Sequence, residues 1–245
     1  YLRILRYFRF FIHYSKFDYD EEIISIIKKN INGINKISNE RIFDELKKIL
    51  KLNNAYNLFA KNPSKQVIVN IFPLLKYYDR LKILNNFNPN LKKKYDIYLI
   101  LALLILDESN EYEYFCYKYR VSNKVRDRFK YISRNFKNLK NKKFYTEENI
   151  KREIYLSSKE NVIDALFFSI FQNKKLKDID LEKLIKFVNI CKIPKFPISG
   201  NYLKERGYKS GQALGNKLKF LEEKWIENNF TLDKKLLEKS LNKTN

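Results

Sequence analysis

Ser38-Asn39-Glu40-Arg41-Ile42-Phe43-Asp44-Glu45-Leu46-Lys47-Lys48-Ile49-Leu50 decides the fold class. Its apolar residues fall at positions 42, 43, 46, 49 and 50, the spacing that lines one face of a 3.6-residue helix. Ser38 stands where a helix N-cap is expected, and Glu40 lies in the first turn, where a negative charge meets the positive end of the helix dipole. Helical spacing recurs along nearly the whole chain, while five glycines and five prolines are too few to supply the turns of a sandwich or barrel. The expectation is an all-α protein.

Outward from that stretch, start and stop signals divide the 245 residues into helices at 1–14, 19–31, 38–51, 66–77, 95–106, 109–119, 122–138, 147–155, 158–172, 179–191, 200–206, 210–228 and 233–242. Gln66 to Phe72 is rich in β-branched residues, but it has no second strand to pair with and is assigned to a helix. Ser157 with Glu160 three residues later reads as a capping box. Pro194 and Pro197 lack amide donors and restrict the residues before them, so the segment 192–197 breaks the helical pattern. Four of the five glycines follow that break.

The formal net charge of +22, from 50 Lys and Arg against 28 Asp and Glu, points first to a polyanion such as RNA or DNA. An anionic membrane surface, or the Lys- and Asn-rich bias of an AT-rich genome, also fits the excess. The lysine clusters at 92–94 and 140–143 read most simply as solvated connections. Two unpaired cysteines and a single histidine offer neither a zinc site nor a disulfide framework. The most apolar run, Ile97 to Leu106, is too short to span a bilayer, and no secretory leader opens the chain, so a cytoplasmic protein is expected, or a mitochondrial or other organellar one if the source is eukaryotic. A chain that opens at Tyr1 inside an amphipathic pattern and contains no methionine is expected to be a piece of a longer polypeptide.

Arg3, Arg6 and Arg9 recur every third residue, which keeps three guanidiniums along one slowly rotating helix face while Leu2, Leu5, Phe8 and Ile12 fill another. Such a face suits a solvated surface or an anionic or base-edge ligand. The string Tyr1 to Phe10 resembles the opening of the neck domain in class II CCA-adding tRNA nucleotidyltransferases, just after that family's Glu-Asp element. The resemblance implies that Arg3 hydrogen-bonds the base of the incoming CTP or ATP and that Arg6 and Arg9 contact or support the nucleotide. Residues 33–50 are similar to the family's Ile-Ser-x-Glu-Arg-Ile-x-x-Glu-Leu motif, which implies that Ser38, Glu40, Arg41 and Glu45 stabilise the neck. An ordinary capped helix with an exposed ion pair fits the same residues.

A third likeness spans Pro197 to Leu203, Gly207 to Gly215 and Leu221 to Trp225 and resembles the tail of eukaryotic and alphaproteobacterial-like members. It implies tRNA binding through Ser199, Gly200, Lys209, Gly211 and Gly215. Gly211 and Gly215 would let backbone amides approach a phosphate, or else let helices pack closely. Asn201 departs from the family's usual Asp. The resemblance implies an elongated array of neck (1–60), body (61–192) and tail (193–245) that takes tRNA, CTP and ATP as partners. In that family Mg2+ and catalysis belong to a head that this sequence lacks, so no catalytic or metal residue is expected here, and the segment alone should be inactive. Asp18-x-Asp20 and Asp178-x-Asp180 have the spacing of a metal pair without its strand context and read as helix starts. A helical RNA-binding module without catalysis, a poly(A) polymerase, or an enzyme adding only CC or only A stands as the alternative.

Overall fold

A computed structural model describes residues 1–14, 18–52, 54–172 and 178–232, in which every regular element is helical. The expected helix at 233–242 lies outside the described residues. The helices are α1 (Leu2–Tyr14), α2 (Glu21–Asn30), α3 (Asn39–Leu50), α4 (Asn57–Ala60), α5 (Asn62–Ile71), α6 (Leu81–Asn86), α7 (Pro89–Lys92) and α8 (Ile97–Ile105). They continue as α9 (Glu111–Lys118), α10 (Asn123–Asn135), α11 (Glu147–Leu156), α12 (Lys159–Ser169), α13 (Asp178–Ile190), α14 (Gly200–Lys204) and α15 (Gln212–Glu227).

The apolar stretch too short for a bilayer becomes the central helix. Along α8, Leu99, Leu101, Ala102, Leu103 and Leu104 are all fully buried, as expected of a helix apolar on every side. Both of its ends are satisfied by polar side chains. Asp96 accepts from the amides of Tyr98 and Leu99 at the start. At the end, Nη1 of the half-buried Arg80 donates to the carbonyls of Leu103 (2.9 Å) and Leu106 (2.8 Å). Among the described residues no helix is long and apolar enough to cross a membrane.

Asp96 also anchors a buried ion cluster. Arg128 of α10 donates through Nη1 and Nη2 to Asp96 at 2.7 and 2.9 Å, and through Nε and Nη2 to Asp164 of α12 at 2.6 and 3.0 Å. One guanidinium thus ties three helices, and its planar fork is what allows two bidentate contacts. Apolar packing extends from Leu2 to Cys191 in one continuous core, whereas Ile198, Leu203, Leu214 and Leu221 form a separate small core. Trp225 of α15 packs edge-on to Tyr155 of α11, with ring centroids 5.5 Å apart, and joins the second unit to the first.

Several sequence boundaries need correction. The helix expected at 66–77 runs from Asn62 to Ile71, because Pro63 fits the first turn and Pro73 forces the preceding Phe72 out of helical geometry. The capping box assigned to Ser157 and Glu160 does not form, and the N-cap falls one residue later. Ser157 closes α11 by donating to the Glu153 carbonyl, and Ser158 caps α12 by accepting from the Asn161 amide at 3.1 Å. Ser38 does begin α3 in extended geometry, but its hydroxyl makes no capping hydrogen bond. The short helices α4, α6 and α7 escape a periodicity reading because four to six residues do not complete two turns.

Candidate nucleotide and RNA interface

α1 lies on α3 through Leu2, Leu5, Phe8 and Ile12, which are buried one helical turn apart, and Arg3 and Arg6 consequently face outward with Arg9 half-covered. Gly33 seats the start of this helix: a Cβ there would stand 1.9 Å from the Tyr1 ring, so only a glycine lets the ring lie against that turn.

Glu45 sits on the apolar face of α3 and is 1% exposed, yet it carries a charge. Arg9 Nε donates to its Oε2 at 3.1 Å, Arg6 Nε lies 3.5 Å from Oε1, and Lys48 Nζ donates to Oε1 at 2.9 Å. Burial pushes the Glu45 carboxyl upward, but the Lys48 hydrogen bond and the charges of Arg9 and Arg6 outweigh it and hold the group below the usual carboxylate range. One carboxylate therefore orients two arginines of α1 while cancelling only one of the three cations around it. Arg9 also lies over the Phe10 ring at 4.6 Å. Arg3, one turn earlier, is exposed and pairs with no carboxylate among the described residues. The result is an outward row of donors, two held in place and one free, suited to a nucleobase edge or phosphate.

The other residues of the α3 stretch point elsewhere. Glu40 pairs with Arg120, just past α9, at 2.6 Å, and Arg41 is exposed. Lys48 completes the Glu45 cluster and was readable from its i+3 spacing to Glu45. Arg120, eighty positions from Glu40, had no such signal.

In the second unit, Ser199 caps the short α14 by accepting from the Tyr202 amide at 3.2 Å. Gly200 faces α15, where a Cβ would meet Leu214 at 3.6 Å and Leu218 at 3.9 Å. Gly211 begins α15 with φ +139°, a conformation side chains rarely adopt. Among the described residues nothing lies within 4 Å of a Cβ built at Gly211 or Gly215, so no described helix packs closely on either, and both are exposed, as is Lys209.

Comparison with known proteins supports the fold. Residues 16–79 match the family described as the probable RNA and SrmB-binding site of polymerase A. The mouse and human proteins named mitochondrial CCA tRNA nucleotidyltransferase 1 are each 27% identical to the chain across its whole length. Along its whole length the chain is thus similar to CCA-adding tRNA nucleotidyltransferases. It spans about half the length of the curated relatives it matches, covering 55% of the mouse and human proteins. Two solved CCA-adding enzymes share the fold over 98% of the chain. One, from Thermotoga maritima in complex with tRNA, has a TM-score of 0.57 at 19% identity and 60% coverage of that chain; the other, in complex with CTP, has a TM-score of 0.59 at 17% identity and 59% coverage.

The resemblance to class II CCA-adding enzymes implies Mg2+. Among the described residues no group of three His, Cys, Asp or Glu side chains converges, Asp18 is bonded to Lys61, and Asp20 caps α2 through the amides of Glu22 and Ile23. Asp178 opens α13.

Proposed function

We propose that this chain is the nucleotide-selecting and tRNA-holding part of a tRNA nucleotidyltransferase that adds CCA to tRNA 3′ ends from CTP and ATP, in the cytoplasm or an organelle such as the mitochondrion. The observation that carries this reading is the α1 arginine row fixed by Glu45, because a protein that selects a base without a nucleic-acid template needs donors held in a defined orientation. In this reading residues 1–60 are the neck. Arg3 hydrogen-bonds the base, and Arg6 and Arg9 contact or support the nucleotide. Ser38, Glu40, Arg41 and Glu45 stabilise the neck, as the family resemblance suggests. Residues 61–192 are a helical body.

Residues 193–245 are a tail in which Ser199, Gly200, Lys209, Gly211 and Gly215 serve tRNA binding, the open glycines letting the amides at the start of α15 reach a phosphate. The likeness to a solved enzyme bound to tRNA and to another bound to CTP supports both partners. In this reading two-metal chemistry comes from another part of the enzyme, and among the described residues no group of three His, Cys, Asp or Glu side chains converges.

The test is a titration of the chain with tRNA and with an unstructured RNA of equal length at several salt concentrations. A preference for tRNA that survives moderate salt supports the reading. Equal binding that collapses together with salt would reduce the +22 charge to a nonspecific field.

A further inference from the structure

We propose that the groove between α9 and the start of α10 is a further RNA contact, in which an unpaired nucleotide stacks on Tyr117 and Tyr114 while Lys118, Arg120 and Arg126 face its phosphates. The inference rests on the reading that this chain binds RNA, but it concerns a surface separate from the α1 arginines and the tail.

Helical spacing sets the two faces of α9. Tyr112, Phe115 and Cys116 are buried, so Tyr114 and Tyr117, one turn apart, point outward and are 60% and 83% exposed. Among the described residues neither ring stacks on another aromatic or cation and neither hydroxyl makes a hydrogen bond. A single exposed aromatic needs no explanation, but two neighbours bordering a concave surface of about 940 Å3 do. Three cations line that groove against one carboxylate, Glu113. Arg126 reaches Glu113 only at 4.0 Å, and Lys118 has no carboxylate partner among the described residues.

Arg120 adds an independent indication. It closes α9 in the left-handed conformation, φ 50°, where glycine or asparagine is the usual occupant. An arginine occupies that position despite the backbone cost, with its side chain 79% exposed and steadied by Glu40. Aromatic platforms flanked by guanidinium and ammonium groups are what a single-stranded nucleic acid requires: every base has a face to stack, and every phosphate seeks a cation. A wholly apolar protein partner would leave the three cations buried without counterions.

The experiment uses the chain itself with an unstructured oligoribonucleotide containing 4-thiouridine. Photocrosslinks are expected within 114–120, and Tyr114→Ala/Tyr117→Ala should weaken binding of this RNA about ten-fold or more while leaving the salt slope unchanged. Tyr117→Trp should keep the affinity, and its fluorescence should be quenched by the RNA. Crosslinks confined to other segments, or binding by the double variant within about two-fold of the parent, would overturn the proposal. If the parent binds tRNA selectively and only these variants have no effect, this groove alone is refuted; if the parent binds no RNA at all, the functional reading falls with it.

Discussion

Arg9 of α1 and Glu45 of α3, thirty-six positions apart in sequence, meet at 3.1 Å between Nε and a buried carboxylate oxygen. The contact converts helix packing into side-chain orientation: the apolar face of α3 holds α1 down, and the one charged residue on that face aims the arginines. Glu45→Ala should cost about 1–2 kcal/mol of stability, less than a fully buried pair because Arg6 and Arg9 retain access to water. In the complete enzyme it should also lower selectivity between nucleotides more than it lowers tRNA affinity, with Glu45→Gln recovering part of both. Denaturant unfolding and single-nucleotide incorporation measure the two effects. An equal loss of tRNA and nucleotide binding would mean that Glu45 only supports the fold.

Glu45 also shows how much the sequence discloses. Ile42, Phe43, Leu46, Ile49 and Leu50 announce the helix and its buried face, and Glu45 lies on that same face, which is the sign of a carboxylate awaiting a cation. Which cation answers is a tertiary fact, and the choice of Glu45 came from the motif resemblance. The Glu40–Arg120 pair was illegible because no local rule links residues eighty positions apart, and the left-handed Arg120 was illegible because it is neither glycine nor asparagine. For Gly211 and Gly215 the sequence left helix packing and phosphate approach equally open; among the described residues no side chain or helix packs against either.

The acid limb of the stability profile should carry the Glu45 signature. The folded-state pKa is lowered, so the stabilisation is present above the ordinary glutamate range and is lost as pH falls through the lower folded value. Between about pH 5 and pH 3 the parent should therefore lose stability faster than Glu45→Gln, which has no proton to take up at that position. Parallel curves in chemical denaturation would contradict the ion-pair geometry.

Arg3, the arginine of the row with no carboxylate, is the one most available to a ligand. Arg3→Ala in the complete enzyme is expected to abolish discrimination of CTP and ATP from UTP and GTP, with tRNA affinity nearly intact. Its exposure implies a stability change within about 0.5 kcal/mol. Primer extension with each nucleotide supplied singly is the measurement; unchanged selectivity would remove Arg3 from the base-reading role.

The buried Arg128 cluster makes a prediction independent of function. Arg128→Ala leaves Asp164 buried without its guanidinium and should cost about 3–5 kcal/mol. Pairing Arg128→Met with Asp164→Leu removes both charges, so the double variant should be less destabilised than the sum of the single changes, with the shortfall reporting the coupling. Additive losses in a double-mutant cycle would show that the cluster does not act as a unit.

Trp225 governs how the second unit docks. It is 3% exposed and surrounded by Tyr155, Phe196 and Phe230, with centroids 5.0–5.5 Å away, and it packs outside the core that runs from Leu2 to Cys191. Trp225→Ala should thus release about 3–5 kcal/mol of docking energy while leaving the main thermal transition in place. If residues 193–245 hold tRNA, this variant and deletion of 197–245 should weaken tRNA binding in parallel and spare nucleotide binding. Calorimetry and filter binding on the two variants decide the matter. A collapse of the main transition would make Trp225 part of the principal core, and equal losses of tRNA and nucleotide binding would make the tail a structural brace.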